Sequence, residues 1–302
     1  MNRDAALVRD LGDGLALRIA QNNEDLDRIA EMHGLAFEPS AVAFTRALGR
    51  LYPGLRPEDF VYVEDTLTGE VVSSLCLVPT VWRYEGLPLR VAELGIVGTH
   101  PDYRRRGLVQ EQMQWFEGQL QARQFDLASI QGIRFFYRQF GFEYIIPLGR
   151  GCELRPEQIP DPLEGEDPLP IRRATSADIP LLQDLLAAAN RGLAVTVERD
   201  PGVWVYQDDI HRTDEDALDT YLVHEGERPL GYFRIQRHET PARDHSGVRL
   251  VEASPMPYRG CLATLRMLKR LALTRRYAQV AWVNLPPGTP LAQVATSLGG
   301  RW

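Results

Sequence analysis

The sequence predicts an α/β protein of two tandem domains of similar design, each a mixed, mostly antiparallel sheet flanked by helices. Three observations lead there. The chain has 302 residues, more than one compact core usually organises, since domains typically run roughly 100 to 200 residues. A proline-rich, acidic stretch, RPEQIPDPLEGEDPLP from Arg155 to Pro170, interrupts it. Prolines remove backbone donors and the carboxylates repel one another, so 155–168 reads as a linker between an N-terminal domain, 1–154, and a C-terminal domain, 169–302. Finally, the halves repeat each other at an offset of roughly 154 to 160 residues, too long for a solenoid unit and suited to a duplicated domain.

The repeat is visible at three places. LALRIAQNNEDL at Leu15–Leu26 parallels LPIRRATSADIP at Leu169–Pro180, each a short alternating segment followed by an acidic helix start. Phe60–Asp65, a turn at Thr68-Gly69-Glu70 and Val71–Val78 read as a hairpin, as do Tyr221–His224, Gly226-Glu227 and Leu230–Gln236. Near the ends, RQFGFEY at Arg138–Tyr144 answers TSLGGRW at Thr296–Trp302.

Within the first half, the opening strand is followed by helices over Glu24–Leu35 and Ser40–Leu48, then the hairpin, then a strand over Leu89–Val97. A helix is predicted from Gly107 to Ala122, because Val109, Met113, Phe116 and Leu120 fall at helical spacing. A strand over Asp126–Ile130, a short helix over Ile133–Phe140 and a terminal β segment over Phe142–Leu154 complete the domain, with a parallel crossover around the Gly107 helix.

Composition narrows the function classes. Hydrophobic residues make up 44% and charged residues 25%, enough apolar material for a large core. A net charge of -7 repels phosphate backbones, which disfavours nucleic acid as a partner. Cys76, Cys152 and Cys261 are far apart and odd in number, which fits neither a disulfide framework nor a zinc ligand set. A reducing, cytoplasmic setting is expected. Arg3, Asp4, Arg9, Asp10 and Asp13 break up the N-terminus, so no signal peptide is expected. No apolar run reaches the roughly 18 residues of a membrane span.

The most informative segment is ELGIVGTHPDYRRRGLV, Glu93–Val109: an apolar strand, a turn at His100-Pro101-Asp102, an arginine run, a glycine, then a helix. The free N–H groups at the helix start, its dipole and the nearby guanidinium groups make an anion site suited to a pyrophosphate. Taken alone, three consecutive arginines read equally well as a solvated turn. A second segment, IRFFYRQFGFEY at Ile133–Tyr144, sets Phe136, Tyr137 and Phe140 at helical spacing before Gly141, which suits a left-handed helix end.

Other constellations carry less. His238, Glu239, Asp244 and His245 lack metal-ligand spacing and read as a solvated loop, so no metal is expected. Cys76 lies in an apolar strand and reads as a buried small residue, and Ser73, Ser74 and Ser129 lack a G-x-S-x-G context.

These two segments resemble the signatures of the GNAT superfamily of acyl-CoA-dependent N-acyltransferases. Arg104 and Gly107 match its coenzyme-A loop, Arg or Gln, two residues, Gly, one residue, then Gly or Ala. Val109 stands where many members carry a small residue, a departure also found in relatives of the enhanced intracellular survival acetyltransferases. The resemblance covers 15–154 and, more faintly, 169–302. In the second copy SPMPYRGCLATL, Ser254–Leu265, keeps Tyr258-Arg259-Gly260 without the full spacing, and Ala295 stands where Tyr137 stands in the first. The chain thus resembles a tandem protein of the enhanced intracellular survival type, without that family's further sterol-carrier-like domain.

The resemblance implies acetyl-CoA as cosubstrate and a small-molecule or peptide amine as acceptor, with neither membrane nor nucleic acid as partner. Homo-oligomerisation is left open. It places coenzyme-A contacts on Ile96, Val97, Thr99, Arg104, Arg105, Arg106, Gly107, Leu108 and Val109, with Tyr137 beside the thioester sulfur and Glu93 as proton acceptor. An acceptor for the amine proton helps because an alkylamine with a pKa near 10.4 is neutral in only roughly one molecule in a thousand at pH 7. The family's C-terminal carboxylate base is not carried to Trp302, because the further domain is missing. Glu38, Glu58 and Asp59 are acidic candidates for contact with a cationic acceptor. The competing reading is a non-catalytic acyl-CoA-binding sensor.

Overall fold

Alternation of apolar side chains decides how the first sheet is built. Val61 and Val63, with Leu75 and Leu77, bury themselves in one cluster with Leu108, Met113 and Phe116. Their neighbours Phe60 and Tyr62, with Cys76 and Val78, join another with Leu26, Ile29 and Leu48. Successive strand residues point to opposite faces, so these segments must lie between two helical layers.

The computed structural model describes residues 7–146, 151–209, 212, 214, 217–237, 247–275, 279–282 and 285–302. In chain order the first elements are β1 (Leu7–Gly12), β2 (Leu15–Ile19), α1 (Asn23–Ala36), α2 (Ser40–Leu51), β3 (Phe60–Asp65), β4 (Glu70–Tyr84), β5 (Leu87–Thr99), α3 (Leu108–Ala122) and β6 (Leu127–Ser129). Then come β7 (Cys152–Leu154), β8 (Ile171–Arg173), α4 (Ile179–Ala189), β9 (Val195–Val197) and α5 (Pro201–Asp208). The last are β10 (Leu218–Glu225), β11 (Arg228–Gln236), β12 (Gly247–Ala253), α6 (Tyr258–Thr274), β13 (Gln279–Trp282) and α7 (Pro290–Ser297).

Among the described residues, one sheet runs β1-β2-β3-β4-β5-β6 with β9 added on β4, and the other runs β7-β13-β12-β11-β10-β8. The β5–β6 pair is parallel, as is β12–β13, and α3 and α6 are the respective crossovers. The other pairs are antiparallel. The mixed, mostly antiparallel α/β architecture is thus present in both halves, and β2-β3-β4-β5-β6 and β8-β10-β11-β12-β13 run in the same order, while β1, β9 and β7 are additions to one sheet or the other. Local chemistry explains the helix starts: the Asn22 side chain accepts from the N–H groups of Glu24 and Asp25 at 2.9 and 3.1 Å, with acidic residues at the positive end of the α1 dipole.

By contacts the chain divides into Met1–Ile145 with Leu193–Tyr206 and Arg212–Asp214, and Ile146–Gly192 with Gln207–His211 and Glu215–Trp302. These boundaries differ from those expected at 154 and 169. Among the described residues, the terminal β segment expected over 142–154 is a strand at Cys152–Leu154, and it pairs with β13 of the second sheet, where Cys152 and Leu154 are buried. The stretch read as a linker follows it into that unit: Ile159 joins the core, and the carbonyls of Ile159 and Pro160 accept from Lys269 and Arg266 on α6. Conversely, β9 pairs with the far end of β4, Val195 opposite Tyr84 and Val197 opposite Trp82, and so belongs to the first unit.

Candidate functional site

The chemistry-bearing run begins with an irregularity in β5. Ser74 stands opposite Gly98 and Cys76 opposite Gly95, so Ile96 and Val97 together face a single residue, Leu75. Ile96 has φ 41°, a left-handed conformation that a β-branched residue adopts only under constraint. Such a bulge turns backbone amides out of the ladder. Both flanking glycines are needed for space: a Cβ on Gly95 would lie 2.8 Å from Cys76 Sγ, and one on Gly98 2.8 Å from His33 Cδ2. Ser73 Oγ donates to the Gly98 carbonyl at 3.0 Å and lies 2.9 Å from Thr99 Oγ1. Glu93 is half-buried on the same strand, opposite Val78 on one side and Ser129 on the other.

The arginine turn follows. His100 Nδ1 accepts from the Asp102 N–H at 3.3 Å and shapes the short turn Pro101–Tyr103. Arg104 donates through Nη2 to the Ala36 carbonyl at 3.1 Å and through Nε to the Thr99 carbonyl at 3.4 Å, which ties the turn to the end of α1. Arg105 is exposed with φ 64°, and the Arg106 guanidinium lies 4.7 Å from the Tyr103 ring centre. Gly107 caps α3 at φ 75°, and its carbonyl accepts from the N–H groups of Gln110 and Glu111. Helix geometry leaves the N–H groups of Gly107, Leu108 and Val109 without an intrahelical acceptor. Leu108 is buried and Val109 half-buried, so what this helix end offers a ligand is backbone and dipole.

Tyr137 lies on a 3-10 turn, Phe136–Phe140, where the sequence predicts a helix from Ile133. The helix is shortened because Phe135 adopts φ 68°. The Tyr137 ring is buried edge-on against Phe136 and Phe142, at 5.0 and 6.0 Å between centres. It leaves no room for a side chain at 132, since a Cβ on Gly132 would fall 2.5 Å from it. Burial pushes its phenol up to about 12, so it keeps its proton at neutral pH. Tyr137 shares one core cluster with Leu94 of β5 and Leu108 of α3, and Val97 packs against that cluster.

Two further residues belong to this neighbourhood. His33 on α1 is fully buried, with Nδ1 2.9 Å from Thr45 Oγ1 and Nε2 2.8 Å from Ser74 Oγ. Its spacing from Leu26, Ile29 and Ala30 was the available signal, because a histidine on an apolar helix face must find partners inside. Tyr52 stands edge-on to Tyr206 at 5.1 Å, and its phenol is pushed up to about 12 by burial, then by the charges of Glu93 and Asp200.

Burial drives the His33 pKa down to about 3, partly offset by the backbone of Ile96 and Ser74. The linkage has a definite sign. Between about 3 and the ordinary histidine value of about 6.5 the unfolded chain binds a proton that the folded chain does not. Stability therefore falls as pH drops through that window, by about 1.4 kcal/mol per pH unit. Urea unfolding between about pH 5 and 6.5 should show this slope, and His33→Gln should reduce it; an unchanged slope would assign it to other groups.

The remaining candidates are placed as follows. Asp59 is buried beneath the Arg123 guanidinium at 2.5 Å and accepts from the Arg56 N–H, so it is a structural anchor and not an acceptor contact; Glu58 is exposed and Glu38 half-buried. The Cys76 thiol is raised by burial, then by Glu93 and Asp59, and Ser73 and Ser74 are buried, Ser73 hydrogen-bonded within the sheet and Ser74 paired with His33. Ser129 is half-buried on β6. His238, Glu239, Asp244 and His245 lie outside the described residues. Among the described residues no cluster of three or more His, Cys, Asp or Glu side chains could hold a metal, and no helix is long and apolar enough to cross a membrane.

The second unit handles the matching sequence differently. Tyr258, Arg259 and Gly260 form the first turn of α6 and do not precede it; Arg259 pairs with Glu225 at 2.9 Å, and Gly260 is buried against Met256. Ala295 is buried in the core on α7. Arg301 bridges to Glu153, and the Trp302 indole donates to Thr296 Oγ1.

Residues 18–145 match the family described as an acetyltransferase (GNAT) domain. No curated protein matches the chain. Among solved structures it is similar to a conserved protein of unknown function and probable N-acyltransferase from Enterococcus faecalis V583, with a TM-score of 0.70 at 16% identity over 95% of this chain and 69% of that one. It is also similar to GCN5-related N-acetyltransferases from Anabaena variabilis ATCC 29413, TM-score 0.65 at 15% identity over 93% and 68%, and from Kribbella flavida, TM-score 0.61 at 15% identity over 93% and 66%. At these identities the likeness shows the fold.

Proposed function

We propose that the chain is an N-acetyltransferase that moves an acetyl group from acetyl-CoA to a primary amine, at a single site in its N-terminal unit. The observation that carries this reading is the order within one continuous run: the strained bulge at Ile96–Val97, the arginine turn, left-handed Gly107 and the start of α3, with Tyr137 packed in the core beneath them. The acetyltransferase domain match spans the same residues.

The residues divide the chemistry as follows. Arg105, Arg106 and the N–H groups of Gly107, Leu108 and Val109 hold the pyrophosphate. The bulge amides near Ile96 and Val97 meet the acyl oxygen, and Thr99 borders the arm between them. Glu93 takes a proton from the incoming ammonium, whose nitrogen lone pair then adds to the thioester carbonyl. As the C–S bond breaks, Tyr137 donates its phenolic proton to the sulfur, and the second amine proton leaves to solvent. Each group acts where charge develops, which is where a fixed dipole lowers a barrier.

The second unit lacks both a glycine ahead of its crossover helix and a phenol on its last helix, which supports one site per chain. Calorimetry on the full chain should give one acetyl-CoA per chain. A stoichiometry near two would overturn that assignment. A thiol-release screen over polyamines, aminoglycosides, amino acids and basic peptides tests turnover: binding without thiol release with any amine offered favours a non-catalytic sensor.

A further inference from the structure

The bulge in β5 poses a physical problem that the functional reading leaves open. A non-glycine residue in the left-handed region costs on the order of 1–3 kcal/mol and persists only where its surroundings over-determine it. Ile96 is β-branched, which makes the conformation harder to hold. Something must keep the bulge from relaxing into a regular ladder.

His33 contacts both strands where the register slips. On the β4 side its Nε2 lies 2.8 Å from Ser74 Oγ, and Ser74 is the last regular partner before the slip. On the β5 side its ring lies against Gly98, the residue opposite Ser74, so closely that a Cβ there would sit 2.8 Å from Cδ2 and 3.2 Å from Nε2. From behind, Nδ1 meets Thr45 Oγ1 of α2 at 2.9 Å, so the ring cannot swing away without breaking a buried contact. A neutral imidazole has one donor and one acceptor nitrogen, and two hydroxyls complement either tautomer. The arginine turn is tied in close by, since Arg104 donates to the Ala36 carbonyl at the end of α1 and Phe37 packs on His33 at 5.7 Å.

We infer that His33 is a positioning residue for acyl transfer: wedged between Ser74, Thr45 and Gly98, it holds the Ile96–Val97 bulge so that its amides address the acyl oxygen. This rests on the acetyl-CoA reading of the N-terminal site. It acts through the backbone and touches no substrate, so its loss should leave the phosphate cradle intact and misplace only the amides. A displacement of about 1 Å at a reacting group costs roughly 10²-fold in rate.

The test uses the full chain with acetyl-CoA carrying a ¹³C label at the thioester carbonyl. In the wild type, amides directed at the oxygen should shift the bound carbonyl stretch to lower frequency than in solution. In His33→Ala and Ser74→Ala the band should move back toward the solution value, kcat should fall by roughly 10- to 100-fold, and the Kd for free coenzyme A should change less than about threefold. His33→Gln, which keeps one hydrogen-bonding arm, should recover part of the shift. If His33→Ala does not fold, Ser74→Ala decides the matter by itself. Folded variants with the wild-type band and kcat would overturn the inference alone. A wild type that binds no acetyl-CoA would overturn the functional reading, and the inference with it.

Discussion

Tyr137→Phe is expected to lower kcat by roughly 10²- to 10⁴-fold, the range of a positioned general acid, with little change in acetyl-CoA affinity. The substitution keeps the ring that packs on Phe136 and Phe142 and removes only the hydroxyl. A phenol pushed up to about 12 is protonated throughout the working pH range and can give its proton to the departing sulfur. Because a thiol has a pKa near 8.5, expulsion of thiolate proceeds slowly without help, so residual activity should remain. Steady-state kinetics and a thermal melt check this together. An equal fall in kcat and kcat/KM marks an interaction made in the transition state, whereas full kcat under chemistry-limited conditions returns Tyr137 to a core aromatic.

Gly107→Glu should weaken coenzyme-A binding by at least about tenfold, or about 1.4 kcal/mol. Two causes combine. Gly107 holds φ 75°, where an L side chain is strained, and a Cβ there would lie 3.2 Å from Gln110 Oε1. The new carboxylate would also face the bound pyrophosphate with like charge at the positive end of α3. Gly107→Ala separates the two effects, since it adds the strain without the charge and should lose less affinity. The residue is exposed at the helix start, so the melting temperature should move by only a few degrees. Wild-type affinity in Gly107→Glu would put the phosphate cradle elsewhere.

What the sequence disclosed follows from how local each determinant is. The hairpin of β3 and β4 was legible because alternate residues feed two different cores, and α3 because its apolar spacing runs straight from a glycine that adopts the left-handed conformation. The arginine turn and Tyr137 sit in contiguous motifs. The bulge was not legible in the residues themselves, because the register slip depends on the partner strand; only the family resemblance pointed to Ile96 and Val97. Strand β9 and the partner of β7 were hidden for a related reason. Both strands are three residues long and pair with a distant part of the chain, and no local periodicity announces such a pairing. His33 escaped because its role depends on Ser74 and Gly98, which lie next to it only after folding.

The strand at Val195–Val197 also bears on how the protein is made. A ribosome delivers the chain at roughly 5 to 20 residues per second, N-terminus first. The Trp82–Tyr84 end of β4 therefore emerges early and waits for its partner until Val197 has been released, long after the rest of its sheet is complete. For those seconds the nascent chain presents an unpaired strand edge at Trp82–Tyr84, the kind of surface that recruits foreign strands. A gene truncated after Leu154 would make that transient state permanent. Its product would keep every motif of the candidate site and still lack the last strand of its own sheet, so the first unit is finished by translation of the second.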